Sequence, residues 1–198
     1  MQQDIEKAIK VFKNGGIVIF PTDTAFGIGC RMDDERAVKR LFEVRKRPKK
    51  QAVSVLVHTI DMAQEYLQPI PQEVFDKLIS QYWPGALTII LSCKTEKVPS
   101  LVRGGENRLG VRIPNHPVIL EIIREVGVPI LGPSANFHGK ETPYVFSDLD
   151  PRLIELVDFV ISGETSLIRQ PSTVIDCSVS LWKIVRQGAV KLKIKSEK

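Results

Sequence analysis

Three short segments of the chain place side-chain oxygens directly after an apolar run. In GIVIFPTDTAFGIG the run ends at a proline and is followed by Thr22, Asp23 and Thr24, and the segments LGPSANFHG and RQPSTVID repeat this arrangement. Small side chains let backbone N–H groups approach an anion, while hydroxyl groups both donate and accept hydrogen bonds. The three segments together predict one shared pocket, although the first segment taken alone favours a turn capped by its own side chains.

Positive charge accompanies these polar segments. The segment EVRKRPKKQ, at the end of a predicted helix, contains the cationic residues Arg45, Lys46, Arg47, Lys49 and Lys50. Cations stabilise a helix C-terminus, but this segment holds more of them than a cap requires. Arg108, Arg112 and Arg186 lie on or beside predicted strands, where a planar guanidinium group can hold phosphate or carboxylate through paired hydrogen bonds. We therefore expect a ligand that carries such groups.

Several common catalytic signatures are missing from the sequence. It has no GxxxxGK[ST] phosphate loop, and FGIGCRM lacks the third glycine of GxGxxG. His58, His116 and His138 show no metal-ligand spacing, so we assign no metal site to the protein. No serine occupies a GxSxG elbow, and a hydrolase of that type therefore has no support.

Length and composition indicate an ordinary globular chain. Its 198 residues are 43% hydrophobic and 26% charged, and three scattered cysteines argue against a disulfide framework. Neither a membrane helix nor a signal peptide is visible, so we expect a cytoplasmic protein. A net charge of +5 leaves nucleic-acid binding open. We predict one domain over residues 1–198, with a core at about 5–190 and a basic tail at 191–198.

Apolar periodicity switches between strand and helix patterns along the chain. Predicted strands are Ile17–Phe20, Val53–Val57, Leu87–Leu91, Leu109–Ile113, Pro129–Leu131, Phe159–Ile161, Thr173–Ile175 and Lys183–Arg186. Predicted helices are Ile5–Lys13, Asp34–Arg45, Met62–Leu67, Gln72–Tyr82, Val118–Val126 and Pro151–Leu156. Because the two kinds interleave and the last two strands are joined too briefly for a parallel crossover, the sequence predicts an α/β domain with helices flanking one twisted, mixed sheet.

Seven motifs, in this order and spacing, resemble the YrdC/Sua5 family of threonylcarbamoyl-AMP synthases over about residues 5–190. They are PTDTAFGIG, the RKRP turn, WPGALTIIL, VRIPNHP, GPSANFHG, PSTVID and RQG. The resemblance is to the short form, without the C-terminal domain of the Sua5 branch. It implies a YrdC-like (DHBP synthase-like) fold with a basic cavity.

The resemblance also implies an activity, that of a nucleotidyltransferase. Family members convert L-threonine, bicarbonate and ATP, with its Mg2+, to L-threonylcarbamoyladenylate and pyrophosphate. A partner complex then transfers the threonylcarbamoyl group to adenosine 37 of tRNAs that read ANN codons. Contact with tRNA or double-stranded RNA is a further implication, and it fits the basic charge.

Site residues follow from the resemblance by position. It implies threonine binding by Thr24, Arg112, Gly132 and Ser172, and ATP binding by Arg47, Gln51, Ser134, Thr142 and Arg186. Supporting roles fall to Asp23, Arg45, Arg108 and Asn136. No side chain is expected to act as a nucleophile, because the threonine amine can take up bicarbonate and the resulting carbamate can attack ATP. Catalysis would then rest on positioning and on neutralising phosphate charge.

This chain departs from the family pattern at five positions. Arg45 stands where the family has lysine, Phe26 where it often has tyrosine, and Arg108 where many members have threonine. Leu56 stands where longer members carry a threonine-contacting histidine, and His138 replaces a serine. These changes bear on individual contacts, and the change at Arg45 bears on phosphate handling.

Two alternatives to the synthase remain open at this stage. A non-catalytic RNA-binding or ribosome-maturation protein would use the same basic cavity and would show salt-dependent RNA binding. A carbamoyl-transfer relative, similar to the YrdC-like domain of hydrogenase maturation proteins, would use carbamoyl phosphate or a carbamoyl adenylate. That domain usually occurs in much longer chains, with zinc-finger and acylphosphatase segments that this sequence does not contain.

Overall fold

The computed structural model describes residues 2–165 and 168–192, and in that part nine strands form two mixed sheets. A three-stranded sheet has the order β2-β1-β7, and a six-stranded sheet has the order β6-β3-β5-β4-β8-β9. The strands are β1 (Val18–Pro21), β2 (Phe26–Gly29), β3 (Val55–Leu56), β4 (Leu87–Ser92), β5 (Arg108–Arg112), β6 (Ile130–Leu131), β7 (Phe159–Val160), β8 (Thr173–Asp176) and β9 (Lys183–Arg186). Parallel pairs (β1 with β7, β3 with β5, β4 with β8) occur beside antiparallel ones. The predicted α/β class with mixed pairing is confirmed, but the prediction of one sheet is wrong, because β1, β2 and β7 form a sheet of their own.

Strand β2 lies where the smaller sheet meets the larger one. It pairs with β1 as an antiparallel hairpin, and isolated bridges join Gly27 to Ser134 and Arg31 to Ile130 beside the larger sheet. A Cβ atom on Gly29 would lie 1.9 Å from the carbonyl oxygen of Leu131, so only glycine allows this close approach. The hairpin thereby reaches the edge of the six-stranded sheet.

Seven α-helices accompany the sheets in the described residues. They are α1 (Gln2–Lys13), α2 (Glu35–Val44), α3 (Ile60–Tyr66), α4 (Gln72–Val74), α5 (Ser80–Tyr82), α6 (Pro117–Val126) and α7 (Pro151–Ile154). Helices α1 and α6 contact the smaller sheet and pack against each other. Asp34 caps α2 by accepting hydrogen bonds from two backbone N–H groups, and Gly127 ends α6 in the left-handed conformation. No helix among the described residues has the length and apolar character needed to cross a membrane.

The largest differences between the predicted and the observed elements concern one helix and one strand. The helix predicted over Gln72–Tyr82 is interrupted by a π-helical segment, Phe75–Ile79, where the Ser80 hydroxyl donates to the Asp76 carbonyl (2.9 Å). Strand β2 was not predicted. The predicted basic tail lies outside the described residues except for Lys191 and Leu192.

The six-stranded sheet has two chemically different faces. On β5, Leu109 and Val111 are buried in the apolar core, whereas Arg108, Gly110 and Arg112 line a cavity. Strands β4 and β8 alternate in the same way, because successive side chains of a strand point to opposite faces. The sheet therefore supplies the floor of the cavity directly from its strands.

Candidate functional site

One cavity of about 730 Å³ collects most of the residues that the sequence predicts for a site. Its floor is the polar face of the six-stranded sheet, and its walls are the three polar loops and the end of α2. The predicted site residues that line it are Thr24, Arg45, Arg47, Arg108, Arg112, Gly132, Ser134, Thr142, Ser172 and Arg186. Within the described residues, Asp23, Gln51 and Asn136 stand behind this lining and contact it through hydrogen bonds. The shared pocket predicted from the three loops is present.

The side-chain oxygens of the turn between β1 and β2 have two roles: one stabilises the turn, and the others lie at the cavity. Thr22 Oγ1 accepts from the backbone N–H groups of Thr24 and Ala25 (both 3.2 Å) and donates to the Ala25 carbonyl (2.7 Å). Thr22 thus caps the turn, which is the plain structural role that its sequence allowed. The next two residues turn their side chains toward Arg112.

Arg112 is the centre of a buried polar cluster. Its Nη2 pairs with Asp23, Nη1 donates to Thr24 Oγ1 (3.0 Å), and Nε donates to the Gly85 carbonyl (2.9 Å). Only 6% of Arg112 and 7% of Asp23 is exposed. Burial lowers the pKa of Arg112, and the charge of Asp23 opposes that shift. This end of the cavity holds a guanidinium group whose charge the protein already balances.

Arg45 has different surroundings. Its Nε donates to the Asn136 carbonyl (3.0 Å) and its Nη2 to Asn136 Oδ1 (2.9 Å), while Nη1 is buried without a hydrogen-bond partner among the described residues. Only 3% of the residue is exposed. Burial, and secondly the positive charge of Arg47, lower the pKa of Arg45. No carboxylate of the described residues balances this cation.

The C-terminus of α2 places Arg45 and Arg47 in the cavity wall. Lys46 has a left-handed φ of 52°, its N–H bonds the Glu43 carbonyl (3.0 Å), and the N–H of Arg47 bonds the Phe42 carbonyl (2.9 Å). These two bonds form a Schellman motif, in which lysine occupies the position that usually holds glycine. The guanidinium of Arg47 then donates to the carbonyls of Gln51 (3.1 Å) and Ala52. Gln51 therefore acts on the cavity through its backbone.

Ser172 and Arg186 form a third polar group. Arg186 donates through Nε and Nη2 to the Ser172 carbonyl (3.0 and 2.8 Å) and through Nη2 to Ser172 Oγ (3.0 Å). Ser172 Oγ also bonds Thr88 Oγ1 on β4 (2.9 Å). Burial lowers the pKa of Arg186. In the described part of the chain, Arg186 thus donates hydrogen bonds only to neutral oxygens.

Arg108 lies at the more exposed rim of the cavity. It pairs with Asp176, a cavity residue that the sequence analysis did not predict. Its Nη1 pairs with Asp176 Oδ2 at 2.7 Å, and Asp176 Oδ1 accepts from the N–H and hydroxyl of Ser178. Asp176 ends β8 directly opposite Lys183 of β9, and both line the cavity. The signal was present, because PSTVID ends in a carboxylate on the cavity side of the strand. Thr88 was missed because it lies inside an apolar strand.

The remaining predicted residues shape the wall. Gly132 lies against Leu56, where a Cβ atom would meet Leu56 Cγ at 2.4 Å, and its N–H donates to the Ser54 carbonyl (3.1 Å). Phe26 packs edge-on against Phe146, with ring centroids 6.0 Å apart. Both Leu56 and Phe26 line the cavity, so these departures from the family pattern alter its apolar wall.

Charge is distributed unevenly over the cavity arginines. Arg112 and Arg108 pair with Asp23 and Asp176, whereas Arg45, Arg47 and Arg186 have no carboxylate within ion-pair distance in the described part of the chain. The same part contains no group of three or more His, Cys, Asp or Glu side chains that could hold a metal ion. The arrangement therefore favours a polyanionic ligand beside a buried, neutralised arginine.

Comparison with known proteins agrees with this geometry. The chain is 34% identical to a Bacillus subtilis protein named threonylcarbamoyl-AMP synthase, over 94% of this chain and 54% of that protein. It is 34% identical to a Xanthomonas euvesicatoria protein of the same name, over 87% of this chain and 92% of that protein. The crystal structure of P. abyssi Sua5 complexed with L-threonine matches with a TM-score of 0.87 and 32% identity, over 95% of this chain and 55% of that one.

The extent of the match defines what the comparison covers. The chain spans about half the length of the B. subtilis relative and of P. abyssi Sua5. A family model labelled Sua5_yciO_yrdC and described as "Telomere recombination" matches residues 10–188. The resemblance carried by the seven motifs is confirmed, and the chain belongs to the Sua5/YciO/YrdC family.

Proposed function

We propose that this chain is a threonylcarbamoyl-AMP synthase that forms L-threonylcarbamoyladenylate and pyrophosphate from L-threonine, bicarbonate and ATP. The observation that carries the proposal is one cavity in which three arginines, without carboxylate partners among the described residues, stand beside the buried Arg112–Asp23–Thr24 cluster. The relatives of the same name, and the Sua5 structure that holds L-threonine, support the assignment.

The Arg112 end suits the amino acid. A guanidinium group has five N–H donors, and Arg112 uses three of them on Asp23, Thr24 and Gly85. Two donors remain for the two oxygens of the threonine carboxylate. Thr24 and Ser172 would contact the rest of the amino acid, with Gly132 contributing its backbone, while Asp23 fixes the orientation of Arg112.

The end with unpaired cations suits ATP. Arg47 and Arg186 line the cavity, and within the described residues their guanidinium groups donate only to neutral oxygens. In that part of the chain each retains N–H donors that could bind phosphate oxygens. Thr142 lies on the same wall and offers a hydroxyl group. Gln51 supports Arg47 through its carbonyl. Mg2+ would enter with the triphosphate and neutralise part of its charge.

The reaction then needs no protein nucleophile. The threonine amine forms a bond to the carbon of bicarbonate, water is lost, and a carbamate results. A carbamate oxygen next forms a bond to the α-phosphorus of ATP while the bond from that phosphorus to pyrophosphate breaks. The side chains hold the reactants in line and stabilise charge on the phosphates, and such positioning can lower a barrier by roughly 7–11 kcal/mol.

A substrate-omission series tests this function. Pyrophosphate release should require ATP, L-threonine and bicarbonate together, and mass spectrometry should identify the adenylate in the complete mixture. A rate that does not change when threonine is omitted would refute the proposal. Salt-dependent RNA binding without any nucleotide turnover would instead favour the non-catalytic RNA-binding alternative.

Transfer of the threonylcarbamoyl group to tRNA by a partner complex, direct contact with RNA, and a cytoplasmic location extend the same proposal. The net charge of +5 supports contact with a phosphate-rich partner. Adding the purified chain, a threonylcarbamoyl-transferase complex and unmodified tRNA to the reaction would test the transfer step directly.

A further inference from the structure

The buried guanidinium group of Arg112 is held by two separate segments of the chain. Asp23 and Thr24, on the turn between β1 and β2, contact its two Nη atoms, whereas its Nε donates to the carbonyl of Gly85 (2.9 Å). These contacts engage all three nitrogens of the planar group, so together they fix its orientation. The contact from Gly85 therefore determines how Arg112 is presented to a ligand in the cavity.

Gly85 lies at the centre of residues 83–87, which join α5 to β4. Its N–H donates to the Ile113 carbonyl (2.8 Å), so both backbone hydrogen-bonding groups of Gly85 contact residues 112 and 113. A Cβ atom at this position would lie 2.6 Å from the carbonyl oxygen of Tyr82, so a larger residue would displace the backbone. The tight path of this segment brings the Gly85 carbonyl to Arg112.

Trp83 closes this segment through its indole group. Its Nε1–H donates to the carbonyl of Leu87 (2.7 Å), and its ring packs against the apolar core. Leu87 is fully buried, and a buried carbonyl that loses its donor destabilises the conformation that contains it. On the other side of the segment, the Ala86 carbonyl accepts from the N–H of Thr173 (3.0 Å). The indole N–H thus keeps residues 83–87 in the one shape that places Gly85 beside Arg112.

Resting on the proposed function, we propose that Trp83 is a positioning residue for threonine binding, which acts on Arg112 through the Gly85 carbonyl. Trp83 is not among the described residues that line the cavity, so it acts without touching the substrate. The proposed ATP end is held independently, because β8 pairs with β4 over four residues directly after Ser172, whose carbonyl binds Arg186. Loss of the indole N–H should therefore affect threonine much more than ATP.

Trp83→Phe tests this role because it keeps an apolar ring and removes the N–H. The KM for threonine should rise about tenfold, while kcat and the KM for ATP change less than about twofold. Gly85→Ala should give the same pattern, because its Cβ would push the Gly85 carbonyl away from Arg112. Trp182→Phe makes the same chemical change at the other tryptophan, which also packs against the core, and is the matched control that should keep the original KM. A fall in kcat with every KM unchanged would show that Trp83 serves only the fold and would overturn the inference.

A measurement on the free protein separates this inference from the proposed function. In NMR spectra the Arg112 Nε–H, which is bonded to the Gly85 carbonyl, should exchange with solvent about tenfold faster in Trp83→Phe and Gly85→Ala than in the unchanged chain or Trp182→Phe. Equal exchange in all four proteins would overturn the positioning role, even if pyrophosphate release requires all three substrates. If the unchanged chain releases no pyrophosphate, the proposed function is overturned, whereas faster exchange in the two variants would still support the link from Trp83 to Arg112.

Discussion

Arg112 and Arg45 are buried to nearly the same degree in one cavity, yet their guanidinium groups have different hydrogen-bond partners. Arg112, 6% exposed, pairs with the carboxylate of Asp23. Among the described residues, the guanidinium of Arg45, 3% exposed, donates hydrogen bonds only to the neutral oxygens of Asn136. Burial lowers the pKa of both groups, and only Arg112 has a nearby negative charge that opposes the shift. At one end of the cavity a carboxylate balances the buried guanidinium charge, and at the other end no carboxylate among the described residues does so.

This difference indicates what each end does for the fold and for the ligand. Removing one partner of a buried ion pair strongly destabilises the folded protein, because the other charge stays buried without compensation. A buried cation without a partner instead lowers the stability of the folded protein, and a bound anion can offset that loss. Arg112 should therefore contribute to both folding and binding, and Arg45 mainly to binding.

Replacing Arg112 should give the largest loss of stability. Arg112→Met leaves Asp23 buried without its partner, so the free energy of unfolding should fall by about 3–5 kcal/mol, as measured by denaturant titration. The double variant Arg112→Met with Asp23→Asn removes both charges and should recover a large part of that loss. No recovery in the double variant would mean that Arg112 stabilises the fold through something other than this pair.

The matching change at the other end should behave oppositely. Arg45→Met removes an uncompensated charge along with two hydrogen bonds, so the free energy of unfolding should change by less than about 1 kcal/mol while pyrophosphate release is largely lost. A destabilisation as large as that of Arg112→Met would contradict the distinction between the two arginines.

Anion binding should stabilise the protein by a smaller amount. At a pyrophosphate concentration of about 100 times Kd, the free energy of unfolding should rise by about 2.7 kcal/mol, seen as a higher Tm. Arg47→Met should remove most of this gain, because Arg47 lines the cavity without a carboxylate partner among the described residues. Arg36→Met, on the exposed surface of α2, is the matched control and should keep the gain.

The smallest expected effect concerns the turn that presents these cations. Lys46 adopts a left-handed backbone conformation, which a side chain disfavours and glycine does not. Lys46→Gly should therefore raise the free energy of unfolding by about 0.5–1 kcal/mol relative to Lys46→Ala, after allowance for the greater freedom of glycine in the unfolded chain. Since both variants lose the contact between Lys46 and Phe137, equal stabilities would show that the left-handed residue carries no strain.

The sequence by itself determined most of the elements and the existence of a polar pocket. Apolar periodicity, Pro151 at a helix start and Gly127 at a helix end are local signals, and the structure agrees with them. The polar ends of separate strands and loops were also enough to predict that Thr24, Ser134 and Ser172 would share one cavity. The sequence did not predict strand β2, because Gly27 and Gly29 weaken the local strand pattern. Glycine is needed at both positions because Phe20 and Leu131 pack closely against them.

Only the tertiary structure decided how the charges are balanced. Arg112 meets Asp23 across 89 residues of chain, and Arg45 meets Asn136 across 91, so no local pattern distinguishes a paired arginine from an unpaired one. The same holds for Thr22, which caps its turn, and Thr24, which contacts Arg112. Backbone conformation depends on neighbours in sequence, whereas the electrostatic environment of a buried group depends on whatever the fold brings within a few ångströms of it.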